Sequence, residues 1–121
     1  MVYWVGDMVG NDPDRGLINF DDPMLEIMNM MELSGSTSEV NLLIQADDYE
    51  IWGGKKADTG STRRYHIQHD SDPDKLADYT LNENVWYLEE QNMGDPDTLK
   101  DFIRWATSNY SAERYLSLIH I

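Results

Sequence analysis

The apolar residues of this chain fall into short runs and helical stripes separated by polar, turn-rich stretches. Val2-Tyr3-Trp4-Val5-Gly6 opens the chain as an unbroken apolar run. Val40-Asn41-Leu42-Leu43-Ile44-Gln45-Ala46 is a second such run and Tyr115 to Ile121 a third. Short apolar runs without alternation are the pattern of strands covered on both faces. Tyr49-Glu50-Ile51-Trp52 and Arg64-Tyr65-His66-Ile67-Gln68 flank the turn-rich stretch Gly53 to Gly60, a pattern that predicts a hairpin. Asp7 to Asp22 and residues 69 to 84 are polar and read as loop and surface crossing.

Two helices are predicted. In the first, Asp22 caps, Pro23 suits the first turn and Glu26 complements the positive end of the dipole. Leu25, Met28 and Met31 follow at helical spacing with Ile27 beside them, and Gly35 ends the helix. The second is capped by Asp95, with Pro96 at its first position, Asp97 in its first turn, and Leu99, Phe102, Ile103 and Ala106 as its apolar stripe. Strand, helix, strand, hairpin, helix, strand is an α/β order with a parallel core.

Composition narrows the function classes. The 121 residues carry 9 Lys plus Arg against 23 Asp plus Glu, a formal charge of −14. That charge repels phosphate backbones, and no basic groove offsets it, so nucleic acid and anionic membrane surfaces are poor partners. Cations, calcium included, suit it better. The absence of cysteine removes disulfides, thiolate metal sites and a thiol nucleophile within this chain. No apolar run reaches the ~20 residues of a membrane span, and the strand-like start carries no visible signal peptide.

The stretch Glu90-Gln91-Asn92-Met93-Gly94-Asp95-Pro96-Asp97-Thr98-Leu99-Lys100-Asp101-Phe102-Ile103-Arg104-Trp105 is similar to a signature of the clostripain family of cysteine peptidases, which sets Glu, Asn, Met and Gly before a helix bearing Thr-Leu, Phe and Trp. Tyr110-Ser111-Ala112-Glu113-Arg114-Tyr115 also resembles the family, with Ser111 where Pro is usual. Tyr3-Trp4-Val5-Gly6-Asp7 resembles its first strand, although Met8 stands where Asn commonly follows. Val40 to Asp47 resembles its second strand and Arg64 to Ile67 the second arm of its hairpin. The resemblance implies a caspase-like three-layer α/β sandwich with a mostly parallel sheet and a β-hairpin insertion, incomplete here. It further implies an endopeptidase that cuts protein or peptide substrates after Arg through a His/Cys dyad, often with calcium and self-processing, in a secreted or cell-envelope bacterial protein. A thiolate attacks and an imidazole supplies acid or base. In the family the His follows the third strand in a Trp-x-His-Gly setting and the Cys follows the fourth. Neither setting is present, so both are expected in a C-terminal half of the same domain beyond this chain, and the fragment alone is expected to be inactive. Leu116-Ser117-Leu118-Ile119-His120-Ile121 resembles translated sequencing-adaptor read-through. Residues 1–116 are accordingly expected to be the native segment and 117–121 a non-native tail, with His120 an accident.

Several residues merit weighing as sites. Asp7 closes the first strand, where ligands of parallel α/β sheets gather, and is placed to face a basic substrate side chain or a calcium ion; a loop Asp capping backbone is the plainer reading. Asp12 and Asp14, with Asp21 and Asp22, offer hard oxygens for calcium, and Asp70, Asp72 and Asp74 alternate likewise. The latter are no EF-hand, having Lys75 where Gly is needed and Leu81 where Glu is needed. Solvated loop charge is the plainer reading of both. His66 and His69 make a poor metal pair and read as exposed, Arg63-Arg64 as a surface pair open to self-cleavage, and Met24, Met28, Met30 and Met31 as core filling. Two other classes stay open: a non-catalytic α/β module that holds calcium or docks a partner, and a doubly wound signalling domain with an acidic pocket from Asp7 and Asp47.

Overall fold

In the computed structural model the described residues are 1–4, 10–12, 16–18, 21–46, 62–73, 83–89 and 91–120. Their elements are β1 (Val2–Trp4), β2 (Gly10–Asp12), β3 (Gly16–Ile18), α1 (Asp21–Glu32), β4 (Leu43–Ala46), β5 (Arg63–His66), β6 (Val85–Tyr87), α2 (Pro96–Asn109) and β7 (Leu118–His120). One sheet runs in the order β6-β5-β4-β1-β7, and β2-β3 form a separate antiparallel pair. The fold is α/β, as the element order predicts.

The sheet is mixed, which corrects the expectation of a mostly parallel one. β1 pairs in parallel with β4 on one side and β7 on the other. β5 runs antiparallel to both β4 and β6. With the β2-β3 pair, antiparallel ladders outnumber parallel ones. The reason lies in β5. Both of its edges are taken, by β4 and β6, and the predicted hairpin partner at 49–52 lies outside the described residues. The reversal therefore occurs between adjacent sheet strands. β6 is three residues long, Val85-Trp86-Tyr87, too short for periodicity to reveal although every residue is a good strand former. Likewise β2 and β3 fall inside the stretch read as loop.

A helix packs on each face, and the period-two alternation of the strands assigns residues between them. Trp4, Ile44, Ala46, Tyr65, Ile67 and Val85 turn to one face and pack with Met24 and Met28 of α1. Tyr3 and Leu43 turn to the other and pack with Met93 and with Phe102 and Ala106 of α2. Three of the four clustered methionines thus fill or edge the core, while Met30 is exposed. Of the predicted α2 stripe, Phe102 and Ala106 are buried and Ile103 points outward.

The start of α2 follows the sequence signals. Asp95 has extended backbone and its Oδ1 accepts from the Asp97 N–H at 2.9 Å, with Pro96 next in the helix. Asp95→Ala is expected to lower stability by about 1 kcal/mol and Asp95→Asn by much less, because Asn keeps the accepting oxygen. Thermal melts of the two variants would separate these outcomes. α1 begins at Asp21, one residue before the predicted cap, so Asp22 lies inside it.

Candidate functional site

The register of the parallel strands sets up a rim. Trp4 pairs with Ala46 on one side and His120 on the other, so β1, β4 and β7 finish on one line. Arg63 is opposite Ala46 and Tyr87 opposite Arg63, which extends that line across the whole sheet. Carboxyl ends of parallel strands are where open α/β sheets bind their ligands. β1 and β4 end here, and the residues that follow them in the chain lie outside the described residues. Asp7 and Asp47 fall in those segments, and both lie outside the described residues.

Of the calcium candidates, Asp14 and Asp74 also lie outside the described residues. Asp12 sits in β2 opposite Gly16. Asp70 Oδ1 accepts from the Asp72 N–H at 2.9 Å, a carboxylate occupied in organising its own turn. Among the described residues no three His, Asp or Glu side chains are gathered to hold a metal ion.

The two arginines behave differently, and one corrects the surface reading. Arg63 lies at the rim with its guanidinium over the Tyr87 ring, 5.1 Å from the centroid. Arg64 is 6% exposed. Its Nε donates to Gln45 Oε1 at 2.7 Å and one terminal nitrogen to Asp101 Oδ2 at 2.6 Å. The guanidinium also lies 5.1 Å from the Trp105 ring centroid. A buried cation is tolerable only when its donors are satisfied, and here β4, α2 and an aromatic face share the task. Arg64 and His66, two apart in β5, lie on the face that α2 covers.

The same cluster explains the stretch around residues 91–105. Tyr3 donates its hydroxyl hydrogen to the Met93 carbonyl at 3.0 Å, and Gln45 Nε2 donates to Met93 Sδ at 3.5 Å. Asn92 Oδ1 accepts from the Gly94 N–H at 3.1 Å. Phe102 meets Tyr3, and Trp105 meets Trp86 and Tyr110 edge-on. These residues join helix to sheet; none of them forms a reactive pair.

His66 is half-buried, not exposed. Its Nδ1 lies 3.3 Å from Gln68 Nε2 and its Nε2 3.1 Å from Asn41 Oδ1, an arrangement that suits a neutral ring with its proton on Nε2. The ring packs 4.5 Å from that of Tyr110. Burial lowers the His66 pKa, against a smaller upward pull from hydrogen bonding with Asn84. Burial also raises the pKa of Tyr110. His69 turns elsewhere, with Nδ1 3.2 Å from the Glu32 carbonyl, so the two histidines share no ligand position.

A separate hollow of about 1110 Å³ opens beside β7. On the α1 face Val2 and Trp4 of β1 pack with the helix, while Leu118 and Ile119 of β7 are exposed. Val2, Trp4 and Leu118 form its floor, Ile27 and Met31 one end, and the segments 38–42 and 110–116 its walls. Tyr115, Leu116, Leu118 and Ile119 are exposed around it. No family model, curated protein or solved structure matches the chain.

Proposed function

We propose that this chain is the N-terminal part of a clostripain-like cysteine endopeptidase domain with a caspase-like fold, which cleaves after Arg and carries its His/Cys dyad C-terminal to these residues. The observation that carries the reading is the parallel pairing of β1 with β4, which finish on one line. These two strand ends are neighbours at one edge line of the sheet, and the family resemblance puts the His after a third strand. His120 is in register with Trp4 and so sits within the strand, short of the position where a catalytic imidazole would leave the sheet. Asp7, after the first strand, is retained as a partner for a basic substrate side chain. The Asn92-Met93-Gly94 turn and α2 supply scaffold in this reading, which fits their buried contacts.

Sequencing the gene beyond Tyr115 tests it. A His-Gly pair soon after Tyr115 and a downstream Cys are expected, and the longer product should hydrolyse an Arg-containing reporter peptide. The present chain should give no turnover with that reporter; cleavage by it would overturn the reading. A continuation lacking both His and Cys would favour a non-catalytic α/β binding module instead.

A further inference from the structure

Arginine stands at positions 15, 63, 64, 104 and 114, and all but Arg15 are among the described residues. A peptidase acting on this chain needs more than an accessible side chain. Its cleft takes several consecutive residues, so the backbone around the cut must leave the fold cheaply. By that measure the Arg63-Arg64 pair is closed. Both residues lie in β5, paired to β4 on one edge and β6 on the other, and Arg64 is 6% exposed. Arg104 sits in the middle of α2. Arg114 is placed differently. Residues 111–117 belong to no helix or strand, and all are exposed. Ahead of them α2 closes with the Tyr110 N–H on the Ala106 carbonyl. The next hold on the sheet is at Leu116, whose carbonyl accepts from the Met1 amino group at 2.8 Å, followed by the Leu118 N–H on the Met1 carbonyl at 2.9 Å. Between these anchors, among the described residues, the hydrogen bonds come from one side chain. Tyr115 Oη accepts from the Ala112 N–H at 2.9 Å and donates to the Tyr110 carbonyl at 3.4 Å, both exposed to water. Turning Tyr115 outward exchanges these two bonds for water and leaves α2 and the sheet intact.

We propose that the Arg114–Tyr115 peptide bond is a processing site, cut in trans by an Arg-specific endopeptidase. Water adds across the amide. The Arg114 carbonyl carbon gains the oxygen and becomes a carboxylate, and the nitrogen takes up hydrogen and leaves as the amino group of Tyr115. The cut severs the covalent link between α2 and β7 and leaves residues 1–114 continuous. β7 then rests on β1 through the pairs Val2–Leu118, Tyr3–Ile119 and Trp4–His120 and the bond from the Met1 amino group. The site is independent of the endopeptidase reading above, because this chain is the substrate and none of its residues takes part in the chemistry.

The test is brief digestion of the full chain with a small amount of an Arg-specific endopeptidase, its products read by intact mass. Arg15→Lys is digested alongside, because it leaves Arg only at positions 63, 64, 104 and 114. In both proteins the cut after Arg114 should precede those after Arg63, Arg64 and Arg104 by at least about 100-fold in rate, since the latter wait for sheet or helix to open. Arg114→Gln in the Arg15→Lys background should lose the early product and stay whole over the same period. Survival of the Arg114–Tyr115 bond, earlier cuts after Arg63, Arg64 or Arg104, or an Arg114→Gln variant digested as fast as its parent would overturn the proposal. The order of cuts in the wild type decides the matter even if a variant fails to fold.

Discussion

Truncating Phe102 to alanine is expected to lower folding stability by about 3–5 kcal/mol, a large part of the ~5–15 kcal/mol available to a domain. The residue is 1% exposed at the centre of the α2-side core. Its ring lies 5.9 Å from that of Tyr3 and 6.0 Å from that of Trp105, and the Arg64 guanidinium carbon lies 5.9 Å from its centroid. Removal therefore opens a cavity and strips one aromatic neighbour from a buried cation. The loss should exceed the transfer of the ring alone, because the Arg64 network on β4, β5 and α2 cannot collapse into the space without breaking its hydrogen bonds. Ile103→Ala is the control. It lies next in the chain and is 36% exposed, so about 1 kcal/mol or less is expected. Urea denaturation followed by Trp fluorescence reads both. Equal losses would mean that α2 is rotated from the orientation described.

Phe102 and Ile103 mark the limit of what periodicity can resolve. Leu99, Phe102, Ile103 and Ala106 all fit one helical stripe, yet only the helix–sheet contact decides which edge of that stripe is covered, and here it is the Phe102-Ala106 edge. Capping is more local, and accordingly Asp95-Pro96-Asp97 could be read directly, as could Gly35 after α1. Strand identity at β1 and β4 was legible because buried parallel strands need continuous apolar runs, whereas the apolar run of β7 has Leu118 and Ile119 exposed. Strand direction was not. Nothing in Arg63-Arg64-Tyr65-His66 distinguishes an antiparallel neighbour of β4 from the arm of an inserted hairpin, and that ambiguity produced the wrong sheet. For the candidate site, the acidic residues Asp7 and Asp14 lie outside the described residues, whereas the connected polar groups, Arg64 with Asp101 and Gln45, come from three separate elements. A single strand of sequence offers no signal for such a meeting. The one available hint was an Arg directly before the core residue Tyr65.

Replacing Gly35 with alanine is expected to destabilise the protein by roughly 3 kcal/mol or more, through two effects that a second substitution separates. Gly35 adopts φ +63°, where a non-glycine residue is strained by about 1–2 kcal/mol. It also closes α1, its N–H donating to the Met31 carbonyl at 2.8 Å. An added Cβ would fall within 3.0 Å of the His69 backbone nitrogen and Cα. That backbone cannot yield cheaply. The Asp70 N–H donates to the Glu32 carbonyl and the Ser36 N–H to the Ile67 carbonyl, each at 2.9 Å, so the end of α1 and the segment after β5 are clamped on both sides of the contact. Asparagine tolerates positive φ far better than alanine but carries the same Cβ. If crowding dominates, Gly35→Asn should be nearly as damaging as Gly35→Ala in a denaturant titration. If Asn restores most of the stability, strain dominates, and the close approach of His69 to the helix end is not as described. Crowding is expected to win, because the strain is bounded by local backbone energetics, whereas relieving the contact requires α1 to withdraw from residues 67–70 and to break those two hydrogen bonds together.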